Sequence, residues 1–222
     1  LNVDLLSEEE QWERLRGWFA KNGLFLAGTV LLSLAAVGGW RWWQGQGETQ
    51  AVAANTAYEK VLETFDAGKI DEALAQIESL RSEYPKSAYV TAADLAAARV
   101  FVSRNELDKA EPRLKRVYEN PTDPLMKPIA QLRLARVQSA LGRNDEALVT
   151  LGSAQTGPHA AAFAEARGDV RLAKGDRAGA LQEYQAARKL VPADQVGAGV
   201  DVLLDLKIND LGGKVPPVEQ AK

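Results

Sequence analysis

Cysteine is absent from this chain, histidine and methionine occur once each, and no tryptophan follows residue 43. Without cysteine there is no disulfide, no thiolate metal site, no cysteine nucleophile and no lipoprotein-type acylation. The lone histidine, His159, lies beside Pro158 in an expected inter-repeat turn. By itself it does not build the usual zinc set, and no serine–histidine–aspartate arrangement is readable around it. A basic excess is lacking as well. Net charge is −3; residues 1–21 carry three Lys/Arg against five Asp/Glu, and residues 44–222 carry 23 against 25. Phosphate backbones demand an excess of cations, so nucleic acid is excluded as a partner.

Glycine-rich phosphate loops are missing too. "GAG" at 197–199 has neither the third glycine nor the preceding strand of a dinucleotide site, and "GGK" at 212–214 lacks the rest of a phosphate loop. Paired acids such as Asp71 and Glu72 fall at helix starts, where the helix dipole favours carboxylates. No catalytic residue, cofactor or metal is expected, and the chain is not expected to be an enzyme.

What the sequence does hold is a run of 19 residues without a charge, from Asn22 to Trp40. As a helix it spans about 28 Å, close to the hydrocarbon thickness of a bilayer. All five tryptophans lie in the first 43 residues. Trp18 and Phe19 mark one end of the run; Trp40, Trp42 and Trp43, with Arg41 among them, mark the other. Indole has an apolar body and a single N–H donor, so it settles at the headgroup boundary, where Arg41 reaches by snorkelling. A transmembrane helix over 22–43 is therefore expected. A cleaved signal peptide is the rival reading, with "SLAAVG" as the cleavage region. Against it stand the acidic leader, the length of the run and the tryptophans directly after it.

Arg14, Arg16 and Lys21 precede the span and only Arg41 closely follows it, which places the N-terminus in the cytoplasm and residues 44–222 outside. Residues 1–21 are expected to be an amphipathic segment. Ser7 and Glu10 have capping-box spacing, and Trp12, Leu15 and Phe19 form one apolar stripe. Asn22–Gly23 marks a break before the span, the other option being one continuous helix with a polar start. Gly28, Ala35 and Gly39 share a face of the span and would admit another transmembrane helix, although small residues are common in membrane helices generally.

The remainder repeats itself. "GKIDEAL" (68–74), "NELDKAE" (105–111), "GRNDEAL" (142–148) and "GDRAGAL" (175–181) each place Gly or Asn five residues before an alanine: Ala73, Ala110, Ala147 and Ala180. The alanines are 37, 37 and 33 residues apart, inside the range of helical-hairpin repeats. Four residues after them stand Ile77, Leu114, Leu151 and Tyr184; three further on, Leu80, Val117, Ala154 and Ala187. Twelve residues before them stand Val61, Ala98, Ala135 and Gly168. Pro85, Pro121, Pro158 and Pro192 close the units. A tight turn, a second helix whose alanine admits the first, and a proline stop account for this pattern.

From Ala53 to Pro192 the chain resembles the tetratricopeptide repeat. It departs in lacking the large aromatic near the start of the first helix and in placing Pro112 early in a second helix, acceptable only within the first turn. The fold expected is all-α: one N-terminal transmembrane helix, then a solenoid of about four helix pairs over 44–211. Residues 193–211 form its capping helix through Val200, Leu203, Leu204 and Ile208. Residues 212–222 are expected to be a disordered tail. In peptide-binding tetratricopeptide domains the residue after the small position faces the groove; here that gives Leu62, Arg99, Arg136 and Asp169, the two arginines suited to a carboxylate or backbone carbonyls.

The stretch "EEQWERLRGWFAKNG" (9–23), the glycine-rich span ending in "GWRWW" (39–43) and the repeats that follow almost at once resemble the YfgM family of ancillary SecYEG translocon subunits. That resemblance implies a single-span protein of the bacterial inner membrane with periplasmic repeats. It also implies association with the SecYEG translocon and with a membrane-anchored prolyl-isomerase-type chaperone (PpiD), and assistance in handing unfolded exported polypeptides to folding factors. An anchored scaffold for another envelope assembly, such as cell-wall or outer-membrane biogenesis, is the alternative.

Overall fold

A computed structural model describes the backbone of residues 8–152, 157–191 and 200–216, and among these residues every regular element is helical. Two compact units divide the chain at residues 53 and 54. The sequence pattern places that boundary at 43/44; the shift arises because Ala54 is the first fully buried side chain of the repeat core.

The first unit is helical from Glu8 onward, part of helix α1 (Glu8–Asp66). Of the two readings, the continuous helix is the one present: Asn22 donates its side-chain amide to the Trp18 carbonyl (3.0 Å), and the helix runs on through Gly23. From Trp12 to Trp40 the helix is long and apolar enough to cross a membrane by length and composition, with none of its most apolar window buried in the fold. The polar groups inside it are satisfied internally, as lipid requires. Thr29 donates to Leu26 O (2.9 Å) and Ser33 to Thr29 O (2.8 Å). The proposed Ser7 cap and the Glu10 side chain lie outside the described residues.

In the second unit the C-terminal part of α1 pairs in sequence with α2 (Ile70–Glu83), followed by α3 (Ala88–Ser103) with α4 (Leu107–Glu119), α5 (Lys127–Ala140) with α6 (Asn144–Leu151), and α7 (Ala160–Ala173) with α8 (Arg177–Leu190). Helix α9 (Val200–Asp210) packs on α8. The turn inside each pair has one cause. Gly68, Asn105, Gly142 and Gly175 all adopt positive φ, between 57° and 83°, the left-handed conformation that glycine takes freely and asparagine tolerates.

Past each turn the marker alanine is fully buried: Ala73, Ala110, Ala147 and Ala180 are each 0% exposed. Ile77, Leu114, Leu151 and Tyr184 lie beneath them, also buried. Three apolar clusters result: one from α1 to α5, a second around Leu132, Ala147, Leu151 and Phe163, and a third joining α7, α8 and α9 through Ala180, Tyr184, Leu204 and Ile208. The last pair shows how tight the fit is. A β-carbon on Gly168 would collide with the Tyr184 ring, so the largest side chain at its position faces the smallest.

Several expectations are corrected. Pro112 is the sixth residue of α4, past the first turn; it is exposed, which spares the ring a core clash but still removes one backbone hydrogen bond. Helix α6 stops at Leu151, where Gly152 caps it at φ 67°. Pro158 therefore introduces α7 rather than ending α6, and Ala154 lies outside the described residues, as do Pro192 and residues 193–199. On α9, Leu204 and Ile208 are buried while Leu203 is half exposed; the Val200 side chain is outside the description. The segment 212–216 is packed, not loose. Val215 lies against the third cluster, and Gln185 donates to the Lys214 carbonyl (2.9 Å). Pro216 disfavours a helix there but leaves an irregular segment free to lie on one. Residues 217–222 are outside the description.

Gly168→Ala should lower stability by about 1–3 kcal/mol through overpacking. Adding Tyr184→Leu, which recreates the alanine–leucine pair of the preceding repeats, should relieve the overpacking and recover part of the loss in thermal unfolding of the full chain, the remainder reflecting the lost hydroxyl bond to Asp169.

Candidate functional site

Helices α3, α4 and α5 enclose a pocket of about 440 Å³. Leu114 and Val137 are buried in its floor, while Leu107 and Val102 remain partly exposed to it. Arg99 from α3 and Arg136 from α5 line it, as the repeat frame expects, and Arg133 joins them. No acidic residue lines the pocket. Arg133 escaped the sequence frame because only the position after each small residue was followed; its i,i+3 spacing from Arg136 was the available signal.

The other two candidate groove residues are placed elsewhere. Leu62 is half-buried on α1 and does not line this pocket. Asp169 is engaged: its Oδ1 accepts from the Tyr184 hydroxyl (2.8 Å) and from Lys207 Nζ (2.6 Å). Lys207 also donates to Glu165 (2.7 Å) and lies 5.2 Å over the Tyr184 ring. The cluster therefore fastens α9 to α7 and α8. Burial pushes the Tyr184 hydroxyl well above its usual range, with the Asp169 carboxylate adding to the shift. Burial pulls the Lys207 ammonium down, but its hydrogen bonds to Asp169 and Glu165 outweigh that and leave it raised.

Elsewhere arginines are used as internal ties. Buried Asp94 accepts from Arg81 (2.7 Å), Arg113 (3.1 Å) and Arg116 (3.3 Å), joining α2, α3 and α4. Glu78 shares Arg81 and Arg113. Its burial alone would raise the carboxyl pKa, yet those bonds leave it below the ordinary value. Arg143 in the third turn pairs with Glu111 of the preceding unit, Lys174 in the fourth with Asp145, and Arg167 with Glu183 (2.9 Å). Arg188 binds Asp205 (2.7 Å).

In the first unit, Trp18 and Phe19 are half exposed and meet edge to face at 5.4 Å, and Trp40 is exposed. Trp18 and Trp40 are separated by about 33 Å of helix, near one hydrocarbon thickness. The side chains of Arg41, Trp42 and Trp43 lie outside the described residues. Gly28, Ala35 and Gly39 are exposed on one helical face, and β-carbons at both glycines would meet open space. Among the described residues no group of three or more His, Asp or Glu is placed to hold a metal ion. His159 is the half-buried N-cap position of α7, without a side-chain cap bond.

A family model described as a tetratricopeptide repeat-like domain matches residues 16–213. The chain is 35% identical to the "Ancillary SecYEG translocon subunit" of Escherichia coli (strain K12), over 92% of its own length and 97% of that protein. Proteins of the same description are 29% identical in Aggregatibacter actinomycetemcomitans (93% and 98% covered) and 28% identical in Haemophilus influenzae (83% and 90% covered).

Two outcomes separate ties from free cations. Asp94→Ala should cost about 1–3 kcal/mol in thermal unfolding, because it removes the buried acceptor that three partly exposed arginines share, whereas Arg99→Gln with Arg133→Gln and Arg136→Gln should leave the melting temperature unchanged. Raised folded-state values at Tyr184 and Lys207 mean that their stabilisation is complete below about pH 10 and declines as pH rises through their folded pKa values. Hydrogen exchange in α9, after allowance for the intrinsic rise of amide exchange with pH, should therefore accelerate only above about pH 10, and Lys207→Met should flatten that dependence.

Proposed function

This chain belongs to the family of ancillary SecYEG translocon subunits, built on a tetratricopeptide repeat-like domain, and on that premise we propose that it is a non-enzymatic adaptor held at the protein-export channel. The single apolar helix supplies location in the inner membrane, with the N-terminus in the cytoplasm and the repeats in the periplasm. The repeats supply contacts to the translocon, to a PpiD-like anchored chaperone and to exported polypeptides in transit.

The observation that carries this reading is the combination in one chain of an apolar helix that the fold leaves uncovered and a repeat array with an open, cation-lined pocket. An uncovered run of that kind is stable only in lipid or against another membrane helix. Three Lys/Arg before the span against one close behind support the orientation. Confinement to the bilayer raises effective concentration, so individually weak contacts suffice for an adaptor.

Purified from membranes in mild detergent, the full chain should bring down translocon subunits and a prolyl-isomerase-type chaperone, identified by mass spectrometry. Recovery of only cell-wall or outer-membrane assembly proteins would contradict the reading and favour the envelope-scaffold alternative. Gly28→Leu with Gly39→Leu should reduce translocon recovery about three- to tenfold, from roughly 1 kcal/mol of lost helix packing, without altering the fold.

A further inference from the structure

We propose that the pocket between α3, α4 and α5 receives an acidic segment of a partner polypeptide, its carboxylates held by Arg99, Arg133 and Arg136 and one large apolar side chain seated on the floor. The inference rests on the adaptor reading, because it takes protein contact to be the task of the repeats.

The arginine accounting points there. Among the described residues of the repeat domain, Arg81, Arg104, Arg113, Arg116, Arg143, Arg167, Arg171 and Arg188 each pair with a carboxylate. Arg177 donates to the Asp210 carbonyl. Arg99, Arg133 and Arg136 take no such partner, and all three line one pocket. A second pocket on α4, α5 and α6 shows the opposite arrangement. Its acids are answered internally, Glu119 by Lys115, Asp145 by Lys174 and Glu146 by Arg143. Arginine left without a carboxylate or carbonyl partner at one concavity, when the other described arginines of the repeat domain are engaged, is complementary to an anion from outside.

The shape of the site narrows the anion. Arg133 and Arg136 are three residues apart on α5, about 5–6 Å between their β-carbons, whereas Arg99 reaches the same pocket from a different helix, α3. Guanidinium groups bind carboxylates in planar pairs, and three of them drawn from two helices suit two or more carboxylates rather than one terminus. Between them the floor is apolar, with Val102 45% exposed despite its chemistry. The volume lies within the usual ligand range of about 300–1,000 Å³. An acidic stretch interrupted by leucine or phenylalanine satisfies both features. Membrane surfaces are recognised by clusters of about 4–8 cations, more than the three found here. The pocket also offers no aromatic side chain on which a nucleobase would stack.

The test is fluorescence anisotropy with the full chain in zwitterionic detergent and a labelled peptide carrying two glutamates on each side of a leucine. Saturable binding is expected, weakened about tenfold or more by lysine in place of glutamate and by Arg99→Gln/Arg133→Gln/Arg136→Gln. Ala140→Trp, which fills the pocket without changing charge, should weaken it as well. Absence of saturable binding, equal binding by the triple variant, or binding to phosphatidylglycerol vesicles that the triple substitution abolishes while peptide binding persists would each overturn the proposal. Translocon copurification from the unsubstituted protein is read in parallel. Its failure contradicts the adaptor reading, while the peptide titration still judges the pocket.

Discussion

The repeat domain depends on one contact made four times, the close approach of two consecutive helices at a residue too small to keep them apart. A left-handed residue reverses the chain, a buried alanine follows five positions later, and a larger side chain fills the space the helices leave. Val61 is matched with Ile77, Ala98 with Leu114, Ala135 with Leu151 and Gly168 with Tyr184, all of them buried. Each helix pair leaves an apolar face that only the next pair covers, so the array is stable as a stack and not as separate hairpins. Helix α9 and the packed segment after it end the stack by covering the last such face.

Charge then distinguishes what the array does for itself from what it offers. Asp94 draws three arginines into the junction of α2, α3 and α4. Turn cations reach back to the preceding unit at Glu111 and Asp145. The Tyr184–Asp169–Lys207 cluster holds the cap. These interactions set register between units where alanine packing alone would permit sliding. Once they are accounted for, the uncommitted arginines are confined to the concavity of α3, α4 and α5. That confinement is what the proposed docking of an acidic partner segment rests on.

Much of this was legible before any coordinates, for a physical reason. Turn glycines, small–large complementarity and the apolar run are local or strictly periodic, and periodicity is what a single sequence displays. The Gly/Asn marker found the left-handed turns, and the charge-free run found the uncovered helix. What escaped has no period. Asp94 meets arginines 13, 19 and 22 residues away, and nothing in its neighbourhood announces them. Asp169 occupied the expected frame position, yet a lysine on a helix 38 residues later claimed it. Asn22–Gly23 resembled a helix end because the pair often is one in water; in an apolar helix the Asn22 amide bonds back to its own backbone instead. Pro112 shows that an exposed proline within a helix is tolerated when neighbouring side chains hold both ends.

The proposed adaptor role requires that the uncovered apolar helix display the repeat domain on the outer side of a membrane. Absence of cysteine makes that directly measurable, since any introduced thiol is the sole reporter. Glu13→Cys and Ser82→Cys, both at exposed positions, would be exposed in turn to a membrane-impermeant maleimide in spheroplasts. The account predicts labelling of Ser82→Cys in intact spheroplasts and of Glu13→Cys only after lysis. Labelling of Glu13→Cys with protection of Ser82→Cys, or equal labelling of both before lysis, would contradict it.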